Sequence, residues 1–325
     1  MGVTVVVPCR NEAMFIERCV MSLVNNGYDL SQLEVLVVDG ISTDGTVQIV
    51  EQLMSKYPSV KLLDNPKKQT PFAMNIGIAS AKFDKILIAG AHADYPKGYI
   101  AQMDKLTDKP EIDVAGGVLK TEPGNNTTKA RAIAYVLGNQ FGVGNSMFRV
   151  GVSQLTKVDT VPFGMYKRKV FEKAGVYNER LIRNQDIELS RRVAAAGFNI
   201  WLDPTFSCTY FSRTTFSKLA QNNYKNGYWN ILAVKITRNF KSLSIRHFVP
   251  MIFLLSLIFL SVGSVVFGPW CAILLASDIF VYLLALVALG RPSSDGNNPL
   301  LVIIAFFVLH LSYGLGSVMG IFSRK

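Results

Sequence analysis

Two β-branched runs, Val3-Thr4-Val5-Val6-Val7 and Glu34-Val35-Leu36-Val37-Val38, each stop at a polar motif that cannot continue a buried strand. The first meets Pro8-Cys9-Arg10-Asn11-Glu12. The second meets Asp39-Gly40-Ile41-Ser42-Thr43-Asp44-Gly45-Thr46. Runs of this length and branching read as strands buried on both faces, which is the habit of a parallel sheet. Residues 60–63 and 85–89 read as a third and fourth strand, the last leading to His92-Ala93-Asp94. Helical spacing fills the gaps: Met14, Phe15, Cys19, Leu23 and Val24 in the first, Val47, Val50, Leu53 and Met54 within 43–56 in the second, and residues 71–81 in the third. Strands alternating with helices imply an α/β fold with a mostly parallel, Rossmann-like sheet and right-handed crossovers. Ligands of such sheets bind at the carboxyl ends of the strands. The strand-end motifs, with Asn184-Gln185-Asp186 at the start of a helix continuing through Ile187, Leu189, Val193 and Ala194, therefore point to one site.

The net charge of +11 is unevenly spread. From Phe248 onward the only charged residues are Arg291, Arg324, Lys325, Asp278 and Asp295. Just before that, between Pro204 and His247, stand Arg213, Lys218, Lys225, Lys235, Arg238, Lys241 and Arg246, with no Asp or Glu. A basic segment abutting an apolar one reads as a surface facing the cytoplasmic side of a membrane rather than nucleic acid. The four cysteines, Cys9, Cys19, Cys208 and Cys271, form no CxxC pair, so neither a disulfide framework nor a zinc site is expected. Val3 to Val7 is too short for a signal peptide, which places the polar part in the cytoplasm.

The motif chemistry narrows the site. There is no GxGxxG after the first strand and no Walker lysine motif, so phosphate is not cradled by glycines. Carboxylates take their place. Asp39, at a strand end, is placed to accept hydrogen bonds from a base or ribose. Ser42 to Thr46 makes a tight turn and caps the next helix. In His92-Ala93-Asp94, a carboxylate two residues from a second ligand can face one divalent ion, Mg²⁺ or Mn²⁺, with phosphate oxygens completing the shell. Asp186 either caps its helix or serves as a base toward an attacking hydroxyl. Arg183 is placed to bind phosphate or form a salt bridge, while Arg191 and Arg192 read as solvated salt-bridge partners, with Glu188 at hand.

Together these motifs resemble the inverting glycosyltransferases of family 2, which have the GT-A fold. The likeness spans about residues 3–230. It rests on Val-Pro-x-Arg-Asn-Glu, Val-Val-Asp-Gly-x-Ser-x-Asp-Gly-Thr, Ala73-Met74-Asn75-Ile76-Gly77, Ala-His-Ala-Asp-Tyr-Pro and the Asn-Gln-Asp helix start. It is nearest to membrane-anchored glucosyltransferases of the succinoglycan exopolysaccharide type. The resemblance implies that Pro8, Arg10, Glu12 and Asp39 hold uridine. Asp44 and Lys68 would lie beside the nucleotide, with Asn75 and Ala93 in the same binding set. Asp94 would hold the metal on the diphosphate, with His92 as its neighbour, and Asp186 would be the catalytic base. His92 and Gln185 stand where the family usually has acidic residues. The Gln-x-x-Arg-Trp motif of processive synthases is absent, which implies addition of one sugar. The implied reaction moves glucose from UDP-glucose to a polyprenyl-diphosphate-linked acceptor at the bacterial inner membrane, beside other polysaccharide-assembly enzymes. The alternative is a nucleotide-sugar-binding component of assembly or transport without turnover.

The expected domains are a catalytic part over 1–210, a basic amphipathic interface segment over 211–247 and membrane helices over 248–325. Phe216, Leu219, Tyr224, Tyr228, Trp229, Leu232 and Ile236 lie among lysines, as in a helix lying in the interface or one packed on the enzyme. Three apolar stretches, 248–267, 270–289 and 300–322, each approach the ~20 residues needed to span a bilayer. Three spans put Arg324 and Lys325 outside, against the positive-inside preference. Asp278 and His310 fall near the centres of their spans, at similar depth if the spans are antiparallel, and are expected to pair.

Overall fold

The computed structural model describes residues 2–240, 243–290 and 297–323. Lys241, Arg291, Asp295, Arg324 and Lys325, which entered the charge argument, lie outside the described residues. The chain forms two compact units: residues 1–120 with 151–210, and residues 121–150 with 211–325.

The first unit is built on an eight-stranded sheet: β1 (Val3–Cys9), β2 (Leu33–Asp39), β3 (Val60–Asp64), β4 (Lys85–Ile88), β5 (Val114–Glu122), β6 (Thr156–Val158), β7 (Met165–Lys167) and β8 (Ile200–Phe211), in the order β3-β2-β1-β4-β7-β5-β8-β6. β1 to β4 are mutually parallel, as the apolar runs imply. β7 is antiparallel to both β4 and β5, so β5 runs in the direction of β4. β6 is antiparallel to β8. Residues Val3 to Val7 and Val35 to Val38 are almost wholly buried, the state their branching favours.

The helices sit close to their expected places. The first runs Ile16–Val24 and buries Ile16, Cys19, Val20, Leu23 and Val24. Met14, placed in the helix by its spacing, is 84% exposed, because the chain enters the helix only after it. The second, Thr46–Lys56, starts later than expected because Gly45 is left-handed at its N-cap. The third, Thr70–Ser80, lies so close to β1 that a Cβ on Gly77 would come 2.2 Å from Val6 Cγ1.

Among the described residues, the second unit holds three helices long and apolar enough to cross a membrane, Ile245–Val266, Pro269–Leu289 and Pro299–Phe322. The basic helix, Phe216–Thr237, packs along the last of these. Small residues set the spacing: a Cβ on Gly316 would meet the Tyr224 carbonyl oxygen at 2.0 Å, and one on Gly227 the Tyr313 carbonyl oxygen at 2.1 Å. Leu219, Asn223, Ile231 and Leu232 are buried, while Lys218, Lys225 and Lys235 remain exposed. The insertion between β5 and β6 belongs here too. Its helix Thr128–Gly138 buries Ile133, Val136 and Leu137 against Leu219, Phe306 and Leu309.

Asp278 and His310 do not pair. His310 Nδ1 lies 2.9 Å from the Tyr282 hydroxyl, and Nε2 lies 3.0 Å from the Phe141 carbonyl oxygen. Both ring nitrogens are therefore taken. Asp278 accepts a 2.6 Å hydrogen bond from Ser256 on the first apolar helix. Similar depth did not bring the two side chains to facing sides of their helices.

Candidate active site

The carboxyl edge of the first unit's sheet is assembled from the bottom by pairing: Cys9 lies opposite Asp39, and Asp39 opposite Asp64. The loops after β1 and β2 are then stitched together. Asn11, in the left-handed region at φ 56°, donates its N–H to Ser42 Oγ at 2.7 Å and accepts from the Thr43 N–H at 2.9 Å. Glu12 N–H reaches the buried Thr46 hydroxyl at 2.8 Å. Asp44 accepts from Ala13 N–H and Thr46 N–H, each at 3.1 Å, and from the Thr46 hydroxyl. That hydroxyl, followed by the backbone N–H groups, holds the Asp44 carboxyl below its ordinary range. Asp44 is thus the clamp of a helix-starting turn, exposed at the edge.

Asp39 is turned inward, only 2% exposed. It accepts from Ser42 N–H at 2.8 Å, from the Ser42 hydroxyl, and from the Cys9 thiol at 3.6 Å. Burial, with Asp39 beside it, pushes the Cys9 thiol far up, so it is a neutral donor. The Asp39 carbonyl oxygen accepts from Asn65 N–H at 2.7 Å, and the Asn65 carbonyl oxygen from Lys68 N–H at 3.0 Å. Lys68, left-handed at φ 59° and exposed, is therefore tied to the end of β2. Pro8 is half-buried on β1. Arg10 is exposed, its aliphatic stem lying over Gly40.

After β4 the chain turns through Gly90. Its N–H donates to the Tyr95 hydroxyl at 2.7 Å, and Ala93 N–H, on a buried residue, closes onto the Gly90 carbonyl oxygen at 3.0 Å. His92 and Asp94 take different partners. His92 Nδ1 is 2.9 Å from Glu12 Oε2, with the Phe15 ring edge-on at 5.3 Å. Asp94 accepts from Arg18 Nη2 at 2.6 Å and Nε at 3.2 Å. Sequence reasoning missed Arg18, a lone basic residue on an amphipathic helix. The Cys19 thiol is pushed up to about 12, first by burial and then by Asp94 and Glu12, so both carboxylates act on one buried group.

No group of three metal-binding side chains occurs among the described residues. The donor chemistry nevertheless fits an ion carried in on a substrate. Mg²⁺ is commonly held by one or two carboxylates while phosphate oxygens and water fill the remaining positions. Asp94, with its side chain 41% exposed, can offer such an oxygen once Arg18 moves off.

Asp186 lies exposed in the first turn of the helix Gln185–Ala195, behind left-handed Asn184 at φ 58°. It is near enough to Tyr166 of β7 and to Tyr177 to reinforce the upward push that burial gives both phenols. Its helix is anchored by Ser190 Oγ to Thr160 Oγ1 at 3.0 Å and by Arg191 to Asp159 at 3.3 Å. Arg192 pairs with Glu188 at 2.8 Å as expected, whereas Arg191 takes Asp159 as its partner instead of Glu188. The anchoring loop continues to Phe163, strained at φ 46°, whose ring lies where a Cβ on Gly90 would stand. Gly164 then accepts from Ile88 N–H at 3.0 Å. This loop, which carried no sequence signal, connects Asp186's helix to the turn before Asp94.

Asn75, expected in the nucleotide-binding set, bonds to the segment around Tyr177. Its Nδ2 donates to the Tyr177 carbonyl oxygen at 2.9 Å and to Glu179 at 3.0 Å, and its Oδ1 accepts from Tyr177 N–H at 3.0 Å. It pins the segment leading to Asp186.

Residues 4–175 match the family model described as glycosyl transferase family 2. The succinoglycan biosynthesis protein ExoA of Rhizobium meliloti is 27% identical over 320 residues, 96% of this chain and 92% of the relative. A dolichyl N-acetyl-α-D-glucosaminyl phosphate 3-β-D-2,3-diacetamido-2,3-dideoxy-β-D-glucuronosyltransferase of Methanococcus voltae is 25% identical over 248 residues, 71% and 76% of the two chains. Among solved structures, the mannosyltransferase PcManGT of Pyrobaculum calidifontis, in complex with GDP-Man and Mn²⁺, covers 99% of this chain and 88% of its own at TM-score 0.69 and 18% identity. S. aureus TarS 1–349 with UDP-GlcNAc covers 72% and 66% at TM-score 0.51 and 18% identity. These likenesses show the fold, a GT-A sheet.

Proposed function

The chain belongs to glycosyl transferase family 2, an inverting family of enzymes that builds glycans, and from that premise we propose that it adds one hexose, glucose from UDP-glucose, to a polyprenyl-diphosphate-linked acceptor during exopolysaccharide assembly. The observation that carries this reading is the stitched carboxyl edge. Glu12, Asp44, His92 and Asp94 come from three separate strand ends: His92 pairs with Glu12, Asp44 accepts from the neighbouring Ala13 N–H, and Asp94 pairs with Arg18 on the helix that follows β1. The near full-length likeness to a succinoglycan biosynthesis protein supports the role in exopolysaccharide assembly.

In this reading Pro8, Arg10, Glu12 and Asp39 hold the uridine, with Asp44 and Lys68 beside it. Asp39 turns outward only by exchanging its bonds to Ser42 for bonds to the base. Ala93 brings the backbone of the Gly90 turn beside the nucleotide, while Asn75 supports the site by holding the Tyr177 segment. Asp94 would hold Mg²⁺ or Mn²⁺, which when bound offsets the charge growing on the departing diphosphate. His92 steers Glu12 instead of ligating. Asp186 takes the proton from the acceptor hydroxyl as that oxygen attacks the anomeric carbon. The bond from that carbon to the diphosphate oxygen breaks, UDP leaves and the configuration inverts. Positioning and charge stabilisation supply most of the rate gain.

The three apolar helices associate the chain with a membrane. In our reading it is the bacterial inner membrane, with residues 1–210 as the catalytic part on the cytoplasmic side, 211–247 as the basic interface segment and 248–325 in the bilayer. The test is to supply full-length protein with a panel of nucleotide sugars and a polyprenyl-diphosphate-linked sugar, then read the product's anomeric configuration by NMR. A β-linked single addition from UDP-glucose is expected. An α-linked product, or polymer, would refute it.

A further inference from the structure

The second unit contains a cavity of about 430 Å³ that the reaction chemistry does not use. Ligand pockets commonly occupy about 300–1,000 Å³. Thr121 and Glu122, the last two residues of β5, form one side. Arg131, Tyr135 and Asn139 come from the inserted helix and the residue that follows it. Asn297, just before the helix Pro299–Phe322, completes the polar lining.

The hydrogen-bond inventory says what kind of molecule fits. Asn139 Nδ2 donates to the Tyr135 hydroxyl at 3.0 Å, while Asn139 Oδ1 accepts from Phe141 N–H at 2.8 Å. Arg131 donates to the Asn126 carbonyl oxygen at 2.8 Å, which fixes the guanidinium at the rim. The Tyr135 ring lies edge-on to Phe306, with centroids 6.4 Å apart. Asn297 Oδ1 is buried with no hydrogen-bond partner among the described residues. A buried acceptor left unmet is unfavourable, so this atom calls for a donor. Glu122 adds a carboxylate, which when ionised also only accepts. A diphosphate at neutral pH has no proton to give to either group and is repelled by the carboxylate. A sugar has hydroxyls that donate to Asn297 and Glu122 and accept from Arg131, with the Tyr135 ring as an apolar wall.

We infer that this cavity is a saccharide-binding subsite, which takes the glycan part of the lipid-linked acceptor rather than its diphosphate. The inference rests on the glycosyltransferase reading for the identity of that glycan. Its physical content, recognition of a neutral hydroxylated ligand, stands on the cavity alone.

The test uses the full-length protein in lipid nanodiscs and three probes: UDP, a bare polyprenyl diphosphate, and the same carrier bearing a hexose disaccharide. Binding is measured by calorimetry for the parent, Asn297→Leu and Glu122→Gln. The parent should bind the glycan-bearing carrier more tightly than the bare one. Each variant should lose about tenfold for the glycan-bearing carrier, in keeping with one lost hydrogen bond to a polar or charged group. Binding of the bare carrier and UDP should not change. Asn297→Leu should melt no earlier than the parent, because it removes an unmet acceptor. Equal binding of the two carriers by the parent would overturn the proposal. So would variants that keep the preference for glycan, or that weaken both carriers alike. Absence of sugar transfer by the parent with every nucleotide sugar would sink the glycosyltransferase reading but leave the binding comparison intact, so the two failures are distinguishable.

Discussion

Replacing Asn75 by alanine separates a nucleotide contact from a structural latch. The side chain makes three hydrogen bonds, two to the backbone of Tyr177 and one to Glu179. Tyr177 is 4% exposed, so its N–H and C=O find no water when Asn75 is cut back. At about 0.5–1.5 kcal/mol for each neutral bond, plus a contribution from the carboxylate, the loss comes to about 2–3 kcal/mol. That corresponds to an increase of about 30- to 140-fold in local opening of the segment that leads to Asp186, an upper bound on the fall in kcat. The assay pairs UDP affinity by calorimetry with sugar transfer by the full-length protein. The latch predicts a reduced kcat and an unchanged UDP Kd. A tenfold weaker UDP affinity at undiminished kcat would refute the reasoning and return Asn75 to the nucleotide.

Other expectations follow from single contacts. Arg18→Ala frees Asp94 from a largely exposed ion pair of the kind worth at most about 1 kcal/mol, so half-saturation by Mn²⁺ in the UDP complex should fall by no more than about fivefold; a rise would show that Arg18 helps to hold the ion complex. A double-mutant cycle on Asp278→Asn and His310→Leu should give additive losses of thermal stability to within about 0.5 kcal/mol, because the two have separate partners; a larger coupling would restore the pair. Gly316→Val should release the basic helix from the last apolar helix, because the side chain would strike the Tyr224 backbone, and protease cleavage within 216–237 reads the outcome. Burial raises the Glu34 carboxyl, but Lys61, Lys82 N–H and Thr4 outweigh it and leave it below its ordinary 4.5. Its stabilisation is therefore present above about pH 4.5 and lost as pH falls through the lower folded value. Glu34→Gln should flatten that acid limb of the melting curve, and an unchanged limb would contradict the sign.

The half of the first unit's sheet that carries the first three motifs was legible because its strands are unbroken apolar runs, β-branched in β1 and β2, that lead into polar motifs. The other half was not. β6 and β7 have three residues each, β5 has adjacent Gly116 and Gly117, and β8 is interrupted by Asp203 and Pro204, so none shows an unbroken apolar run. The insertion 121–150 is contiguous in sequence with the catalytic strands, yet Ile133 and Val136 find their partners in Leu219 and Phe306, a match that only tertiary packing reveals. For His310 the depth was readable but the helix face was not: its partner Tyr282 lies one turn beyond Asp278. At the site, the residue types and their order could be read from the motifs. Their hydrogen bonds could not: Asp44 closes a turn, Asn75 pins a loop, and Asp94 leans on an arginine that no motif flagged.

The most direct test of the account is acceptor-dependent UDP release by the full-length protein and by Asp186→Asn, with UDP binding measured on both. General-base catalysis typically contributes about 10²- to 10⁴-fold. The account predicts a loss of that size in the variant with UDP binding intact. Release by Asp186→Asn at close to the parent's rate would place the base elsewhere and contradict the mechanism.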